Sequence, residues 1–305
     1  MYTIITDSAT DMPKWVIEKY NLKVIPTPVV INGKDYFDGE TIFQKEFYDI
    51  QRSGAVISTY HINEYMFTQA FLPYAREGKE VVYFCFSTGI AGTFGAANLA
   101  KADVLAEYPD FKIDIIDSKC AAIGFGCCVY MALLMQEKGA SKEEVIEAAR
   151  FHFDNMEHIF TVETLEYLYK GGRLSRPAAI AGSLLDIKPI IEVTDEGKLQ
   201  VCEKVRGRKK AIDRVIAIIK ERGVDLDKQI IAVVHADCED VCDEMIARMR
   251  EEYGCRTILK GFLGCAIGAH TGPGLVGICA LSAVSPYRHY FSEYINGKGS
   301  EDGKQ

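Results

Sequence analysis

The first half of the chain alternates between short apolar runs and longer amphipathic stretches. The apolar runs predict strands at residues 3–6, 24–31, 81–86 and 113–116. Because these runs are apolar on both faces, they are typical of a parallel sheet that lies between two layers of helices. The predicted helices are residues 12–20, 45–52, 63–76, 91–108, 121–138 and 142–155.

The second half of the chain combines helices with a hairpin. The turn Asp195-Glu196-Gly197 joins two apolar segments, which predicts paired strands at residues 190–193 and 199–205. Glycines punctuate residues 259–283, and we interpret this stretch as strands and turns. A hairpin next to helices predicts a mixed sheet that helices cover. The remaining predicted elements are strands 159–162 and 229–234 and helices 209–222 and 239–253.

These patterns predict an α/β protein of two domains, and the length of 305 residues favours the same number. The first domain is expected at residues 1–157 as a three-layer α/β/α domain with a parallel sheet. The second is expected at residues 158–285 as a two-layer α/β domain with a mixed sheet. Residues 286–305 are expected to form a polar C-terminal tail.

Composition and charge exclude several classes of protein. The formal net charge of −8 makes the chain a poor general binder of nucleic acid or of an anionic membrane. The longest helix-like apolar run, residues 120–135, is shorter than the roughly 20 residues that cross a bilayer. The N-terminus lacks the basic region of a signal peptide. We therefore expect a cytoplasmic protein whose ten cysteines are reduced.

Signals for catalysis, metals and nucleotide cofactors are weak. His235, Cys238 and Cys242 have the spacing of metal ligands, but a structural zinc site needs a fourth ligand and none is evident nearby. Residues 272–277 match G-x-G-x-x-G, yet a strand rather than a helix is expected to follow them. The chain has no G-x-S-x-G nucleophile motif and no obvious pair of catalytic carboxylates. We expect no metal, no cofactor and no catalytic residue.

The loop from Ser87 to Thr93 is the strongest candidate for a binding site. It follows the most apolar strand and opens a helix, and its glycines allow a ligand to approach the backbone closely. Its hydroxyls and the free N–H groups of the helix N-terminus favour an anion. The alternative interpretation is a tight turn between strand and helix.

Two Asp-Ser pairs, Asp7-Ser8 and Asp117-Ser118, also stand where strands end and helices begin. They are good helix N-caps, and they also stand where open α/β sheets bind ligands. Ser58-Thr59 precedes a predicted helix and is typical of a cap. His270-Thr271 precedes a glycine-rich turn, where helix packing is not expected to hold the histidine, so it either faces a ligand or belongs to the turn.

The segment from Lys198 to Arg214 reverses the acidic balance of the chain. It contains seven basic and two acidic residues, which gives a local charge of +5. One interpretation is a solvated hairpin and helix start. The other is a docking patch for an acidic or phosphate-bearing partner, in which Arg206 and Arg208 flank Gly207.

Together these segments resemble the DegV family, in order and at similar spacing from Thr3 to about Leu281. Thr6-Asp7-Ser8 is similar to the N-terminal motif of the family, and Ser87-Thr88-Gly89-Ile90-Ala91-Gly92-Thr93 to its S-S-x-x-S-G-T loop. Further segments that resemble family motifs are Leu165–Arg173, Lys204–Ala211, Val234-His235-Ala236-Asp237 and His270-Thr271-Gly272-Pro273-Gly274.

The resemblance implies a bacterial two-domain α/β protein that holds a long-chain fatty acid in a tunnel, with the carboxylate near the domain junction. In the family, hydroxyls of a T-S-Q-P-S segment and of the S-G-T loop take part in carboxylate binding. Here Ser58-Thr59-Tyr60-His61-Ile62 stands in the first position, and Ala91 replaces the serine before Gly92-Thr93. The resemblance also implies a separate fatty-acid kinase that makes the acyl-phosphate.

Two functions follow as hypotheses. In the first, the chain is a lipid-binding carrier without catalysis, and Arg206 and Arg208 dock the kinase. In the second, it is an enzyme that acts on a small phosphorylated or carboxylated metabolite in the same crevice. The residues expected to bind the ligand are Ser58, Thr59, Ser87, Thr88, Gly89, Ala91, Gly92, Thr93, Arg173, His270 and Thr271.

Overall fold

The computed structural model describes residues 2–175 and 186–295. The strands are β1 (Tyr2–Asp7), β2 (Lys23–Ile25), β3 (Pro28–Ile31), β4 (Lys34–Phe37), β5 (Ile57–Thr59), β6 (Glu80–Cys85), β7 (Ile113–Asp117), β8 (Met156–Thr161), β9 (Ile187–Val193), β10 (Leu199–Arg206), β11 (Ile230–His235), β12 (Thr257–Phe262) and β13 (Val276–Leu281). The helices are α1 (Lys14–Tyr20), α2 (Gln44–Arg52), α3 (Glu64–Arg76), α4 (Thr93–Glu107), α5 (Ala122–Glu137), α6 (Lys142–Asp154), α7 (Glu166–Lys170), α8 (Arg208–Arg222), α9 (Glu239–Tyr253), α10 (Cys265–Thr271) and α11 (Ser292–Ile295).

The first sheet has four parallel strands in the order β2-β1-β6-β7. Its two central strands, β1 and β6, are buried on both faces, as the continuous apolar runs predict. On one face, Val81 and Tyr83 of β6 pack with Phe67 and Phe71 of α3 and with Ala97 of α4. The opposite face packs against α5. This sheet, with a helix layer on either side, confirms the predicted class of the first half.

The second sheet has six strands in the order β10-β9-β8-β13-β11-β12. Only β11 and β12 run parallel, and the other neighbours are antiparallel, so the sheet is mixed as predicted. Helices α8 and α9 cover one face through a cluster that includes Val215, Ile219 and Met245. The sheet begins with β8 at Met156, so the expected domain boundary between residues 157 and 158 falls inside this strand.

Helix α5 lies between the two sheets and belongs to a core that both share. It is apolar all round, as is typical of a helix buried on every side. The Cys127 thiol donates to the carbonyl of Ile230 in β11 at 3.6 Å. Gly261 of β12 packs against Ile123, since a Cβ there would lie 2.8 Å from that side chain. The shared core fixes the two sheets relative to each other.

A small third sheet, in the order β4-β3-β5, was not expected. The predicted strand 24–31 divides at its prolines, so that β2 joins the first sheet and β3 pairs with β4 and β5. Proline lacks the N–H that a continuous sheet ladder requires, which explains the division at Pro26 and Pro28. This sheet holds one side of the site described below.

Two other segments differ from the pattern-based expectation. Residues 259–283 were interpreted as strands and turns, but they contain helix α10 between β12 and β13. Residues Arg288–Ile295, which were assigned to the polar tail, form two short helices with Phe291 and Ile295 buried. The rest of the expected tail, residues 296–305, lies outside the described residues. Among the described residues, no helix is long and apolar enough to cross a membrane.

Candidate functional site: a cavity between the two sheets

A cavity lies between the first and second sheets, beyond the carboxyl ends of β1 and β6. Asp7 and Phe86 line it from the first sheet, and Phe160, Val234 and Gly277 line it from the second. Its volume is about 90 Å³ open to water-sized molecules. The wall is mainly apolar; its other apolar members are Ala9, Ile90, Ala91, Ala121, Ala122, Ile159, Leu168, Val193, Leu199, Leu263, Ala266, Ile267 and Leu275.

The polar side chains of the wall include a group of four residues that come from four distant parts of the chain. Thr59 ends β5, His270 lies on α10, and Arg173 follows α7. A hydrogen bond of 2.6 Å joins Thr59 Oγ1 and His270 Nε2 across 211 residues of sequence. All three side chains line the cavity, together with Thr93 at the start of α4. We call Thr59, Thr93, Arg173 and His270 the polar cluster.

Burial, followed by the nearby Arg173, lowers the pKa of His270 to about 4. The ring is therefore neutral at physiological pH, with one nitrogen as donor and the other as acceptor. Nε2 is engaged with Thr59, while Nδ1 is buried without a partner among the described residues. A glycine at position 171 is required, since a Cβ there would overlap the Nδ1 atom of His270.

Arg173 brings a positive charge to the cavity wall. Its Nη1 donates to the carbonyl of Gly171 at 2.6 Å, which orients the guanidinium. Burial lowers the pKa of Arg173, and no carboxylate in residues 2–175 and 186–295 forms an ion pair with it. A part-buried guanidinium with free donors is suited to a carboxylate or phosphate, which it can bind in a bidentate manner.

The alternation of strand β5 separates the two expected ligands Ser58 and Thr59. Thr59 faces the cavity, while Ser58 is exposed on the other side of the strand. Their partners on β3 differ in the same way, since Thr59 pairs with the buried Val29 and Ser58 with the half-buried Val30. Consecutive strand residues point to opposite faces, so only one of the two can reach the cavity.

The loop after β6 is used differently at its two ends. The Ser87 hydroxyl donates to the carbonyl of Gly197, in the turn between β9 and β10, at 2.7 Å. The Thr88 hydroxyl donates to Asp117 at 2.6 Å, and Gly89 packs so closely that a Cβ would overlap Gly197. Ser87, Thr88 and Gly89 therefore hold the hairpin turn and the neighbouring loop, and they are absent from the cavity wall.

The end of this loop does reach the cavity. Ala91 and Thr93 line it, and Thr93 is 4% exposed. Gly92 is the N-cap of α4, and its position for a Cβ lies 3.6 Å from the ring of His61. The N-terminus of a 15-residue helix and one hydroxyl thus meet the cavity at this point.

A family model described as "Uncharacterised protein, DegV family COG1307" matches residues 1–283. The chain belongs to the DegV family. A DegV domain-containing protein of Clostridium perfringens is 34% identical over 282 residues, which cover 92% of this chain and 97% of that protein. Membership confirms the resemblance seen in the ordered motifs.

Solved structures of DegV proteins have the same fold. A DegV family protein from Thermus thermophilus, described by its fatty acid binding, has a TM-score of 0.81 at 26% identity and covers 92% of this chain and 99% of that one. A stearic acid-binding protein from Eubacterium ventriosum has a TM-score of 0.85 at 26% identity, with 95% and 100% covered. A DegV lipid-binding protein from Thermotoga maritima reaches 0.82 at 30% identity, with 92% and 99% covered.

His270 does precede the glycine-rich turn, but the expectation that helix packing does not hold it is wrong. His270 and Thr271 are the last residues of α10, so helix packing does hold the histidine. Thr271 also lines the cavity, but its hydroxyl donates to the carbonyl of Ile267 at 3.3 Å. The helix was missed because it is only seven residues long and contains Gly268. A Cβ at Gly268 would lie 3.0 Å from Tyr48 Cζ, so tertiary packing selects the glycine.

Some cavity residues gave little signal in the sequence. Tyr60 and His61 both line the cavity. In the sequence they stand out only because they differ from the T-S-Q-P-S segment of the family. His158 of β8 lines it as well, and its Nδ1 lies 2.8 Å from the carbonyl oxygen of Met156. A histidine in the middle of a buried strand has no local pattern that distinguishes a wall residue from a core residue.

The structure separates the two arginines expected to dock a partner. Arg206 is exposed at the end of β10. Arg208 is part-buried: its Nε lies 3.2 Å from Glu163 Oε1, and its Nη2 donates to the carbonyl of Gly274 at 2.5 Å. Arg208 thus ties α8 to the strand end at Glu163, while Arg206 remains available at the surface.

The residues with metal-ligand spacing have other contacts. The His235 ring stacks on Phe262 with 4.6 Å between ring centroids, and its Nδ1 accepts from the Cys238 N–H at 3.4 Å. Cys242 belongs to α9 and is buried in the core between that helix and the second sheet. Within the described part of the chain, no group of three or more histidine, cysteine or acidic side chains is arranged to hold a metal ion.

Proposed function

We propose that this protein binds a long-chain fatty acid in the cavity, with the carboxylate at the polar cluster, and carries it without catalysing a reaction. The observation that carries the proposal is the position of Arg173 in the cavity wall. Its guanidinium has no ion-pair partner in residues 2–175 and 186–295, and it lines a mainly apolar wall that also holds the buried Asp7. A fatty acid supplies both an anion for the guanidinium and an acyl chain for the wall. The DegV proteins of known structure that are described as binding fatty acids support this choice.

The apolar wall favours a lipid over a small metabolite. Burial of about 14 methylenes at ~0.8 kcal/mol each contributes about 11 kcal/mol before the costs of association. The acyl chain would therefore supply most of the affinity. Arg173, Thr59 and Thr93 would set the position of the head group through charge-assisted and neutral hydrogen bonds.

A mass measurement on the intact protein tests the proposal. Native mass spectrometry of freshly purified protein is expected to show a bound mass that matches a C16–C18 acid and disappears on denaturation. Lipid extraction then identifies the acid. A protein that is empty, and that converts a small phosphorylated or carboxylated metabolite unaided, would instead support the enzyme hypothesis.

Paired variants test the position of the carboxylate. Arg173→Ala should weaken fatty-acid binding by about 10- to 100-fold, because a charge-assisted hydrogen bond contributes about 1.5–3 kcal/mol. Thr59→Val should weaken it by about fivefold through the loss of a neutral hydrogen bond. Ser58→Ala is the matched control, since that hydroxyl is exposed on the opposite side of β5. Equal affinities for the Thr59 and Ser58 variants would move the carboxylate away from this end of the cavity.

We also infer a separate acyl kinase as the partner, which would make this protein a cytoplasmic carrier. The ten free cysteines fit a reducing compartment. The exposed Arg206 is the better docking residue, because Arg208 is committed to Glu163 and Gly274. Arg206→Ala should slow kinase-dependent acyl-phosphate formation and leave displacement of a fluorescent fatty acid unchanged. The opposite result would assign Arg206 to the cavity: the variant would bind fatty acid weakly, but once loaded with fatty acid it would support acyl-phosphate formation at the normal rate.

A further inference from the structure

Two aspartates from the N-terminal part of the chain hold the start of helix α10. Asp38, just after β4, accepts from the N–H groups of Cys265 at 2.9 Å and Ala266 at 3.1 Å, one on each carboxylate oxygen. Asp11 accepts from the Gly264 N–H at 2.8 Å. Gly264 is the N-cap of α10 and has no side chain of its own to satisfy these donors.

The two carboxyl groups lie close together around Gly264. A Cβ at that position would lie 2.7 Å from Asp11 Oδ1 and 2.8 Å from Asp38 Oδ2. Both side chains are buried, at 6% and 4% exposure for Asp11 and Asp38. In this poorly solvated site a charge on Asp38 disfavours ionisation of Asp11.

The hydrogen bonds indicate which of the two carries the charge. Asp38 has a backbone donor on each oxygen, which stabilises the carboxylate form. Asp11 Oδ2 is buried without a partner among the described residues. Burial, followed by the charge of Asp38, also raises the pKa of Asp11 well above its ordinary value. Burial raises the pKa of Asp38 as well, but the N–H groups of Cys265 and Ala266 act against this rise. We therefore place the proton on Asp11.

The same small sheet holds both ends of α10. Asp38 follows β4 and holds the first turn of the helix, while Thr59 ends β5 and meets His270 at its last turn. Strands β4 and β5 are both paired to β3, so their relative positions are set by backbone hydrogen bonds. The helix between these two contacts carries His270 into the polar cluster.

We propose that Asp38 is a positioning residue of the head-group site: its carboxylate anchors α10 and thereby holds His270 against Thr59, with Asp11 as its protonated neighbour. This inference rests on the proposed function for its binding consequence. The anchoring of α10 by Asp38 concerns the ligand-free protein and does not depend on the proposed function.

Substitution by asparagine distinguishes the two aspartates. Asp38→Asn places an amide N–H₂ against a backbone N–H of α10, so one anchor is lost. Asp11→Asn resembles the protonated carboxyl group and should leave the helix in place. Asp35→Asn is the control, because that carboxylate is exposed on β4, three residues before Asp38.

The first measurement is an NMR titration of His270 in ligand-free protein. The pKa should stay near 4 in the wild type, Asp11→Asn and Asp35→Asn. In Asp38→Asn it should move toward the ordinary value of 6.5, because the ring loses its buried contact with Thr59. An unchanged His270 pKa in a folded Asp38→Asn protein would overturn the proposal, and so would a larger change in Asp11→Asn than in Asp38→Asn.

The second measurement is fatty-acid affinity, which should fall by about tenfold in Asp38→Asn and stay the same in the other two variants. A wild type that binds no fatty acid would defeat the proposed function and leave the titration as the test of the anchor. If Asp38→Asn does not fold, amide hydrogen exchange in the wild-type protein tests the anchor. The amides of Cys265 and Ala266 must then be strongly protected, and rapid exchange would contradict the anchor.

Discussion

Two strand-end loops with the same residues, Asp-Ser, have opposite environments. Asp7, the last residue of β1, is 1% exposed; it accepts from the Ala9 N–H at 3.1 Å, the Phe86 N–H at 3.0 Å and the Tyr83 hydroxyl at 2.8 Å. Asp117, the last residue of β7, is half-exposed, and it accepts from the Thr88 N–H and hydroxyl at 3.1 and 2.6 Å. Both aspartates hold the loop after β6, one from each side.

The order of the strands explains the difference. Strand β1 lies inside the sheet between β2 and β6, while β7 is at its edge. The carboxyl group of Asp7 therefore lies in the buried wall of the cavity. Burial there raises its pKa to about 6. The same Asp-Ser pair thus has two environments. At the end of β7 its aspartate is half-exposed and anchors a loop, and at the end of β1 its aspartate is a buried titratable group.

The largest difference is expected for alanine substitutions. Asp7→Ala leaves three buried donors without an acceptor and should lower the free energy of unfolding by about 3–5 kcal/mol. Asp117→Ala should lower it by only about 1 kcal/mol, because water can replace the lost contacts. Urea denaturation of both variants measures this. Similar losses would show that burial does not separate the two sites.

The pH dependence of stability should include a contribution from Asp7. The folded pKa of about 6 lies above the ordinary 3.8, so the native state binds more protons than the unfolded state between these values. The contribution of Asp7 to stability therefore falls as pH rises from about 4 to 6, by ~3 kcal/mol in total. Urea denaturation across this range gives the free energy of unfolding of the wild type and of Asp7→Asn. The difference between the two isolates the contribution of Asp7 from that of Asp11, which both proteins contain. A flat difference curve would mean that Asp7 titrates normally.

The loop between the two aspartates should be intolerant of bulk on the side that faces the hairpin. Gly89→Ala would overlap the Gly197 carbonyl and should destabilise the protein by about 1–3 kcal/mol. Gly95→Ala, in the first turn of α4 and with open space around its Cβ, should stabilise that helix by about 0.5–1 kcal/mol. Thermal unfolding of the two variants compares them, and a stabilising Gly89→Ala would show that the hairpin turn does not rest on this loop.

The smallest effect is expected at the exposed contact of Asp117. Thr88→Val removes the 2.6 Å hydrogen bond to Asp117 and should cost about 0.5–1 kcal/mol. In an Asp117→Ala background the same substitution should cost almost nothing, which a double-mutant cycle measures. Full additivity of the two losses would indicate that the two side chains do not interact in solution.

Regular elements of this protein were predictable because their signal is local. The apolar run 121–138 predicts α5 closely, since a helix buried on every side needs apolar residues in consecutive positions. Helix α10 was not predictable, because seven residues with an internal glycine have little helical signal of their own. Its N–H groups are satisfied by Asp11 and Asp38, more than 220 positions earlier in the chain.

The candidate site divides in the same way. The sequence by itself determined the strands of the two larger sheets, most of the helices and, through its ordered motifs, the family, because periodicity and motif spacing depend on neighbouring residues. Only the tertiary structure decided that Thr59 faces the cavity and Ser58 does not, and that Ser87 and Thr88 hold other loops. Side-chain direction depends on strand pairing, and the contact of Thr59 with His270 forms across 211 residues, where no local pattern records it.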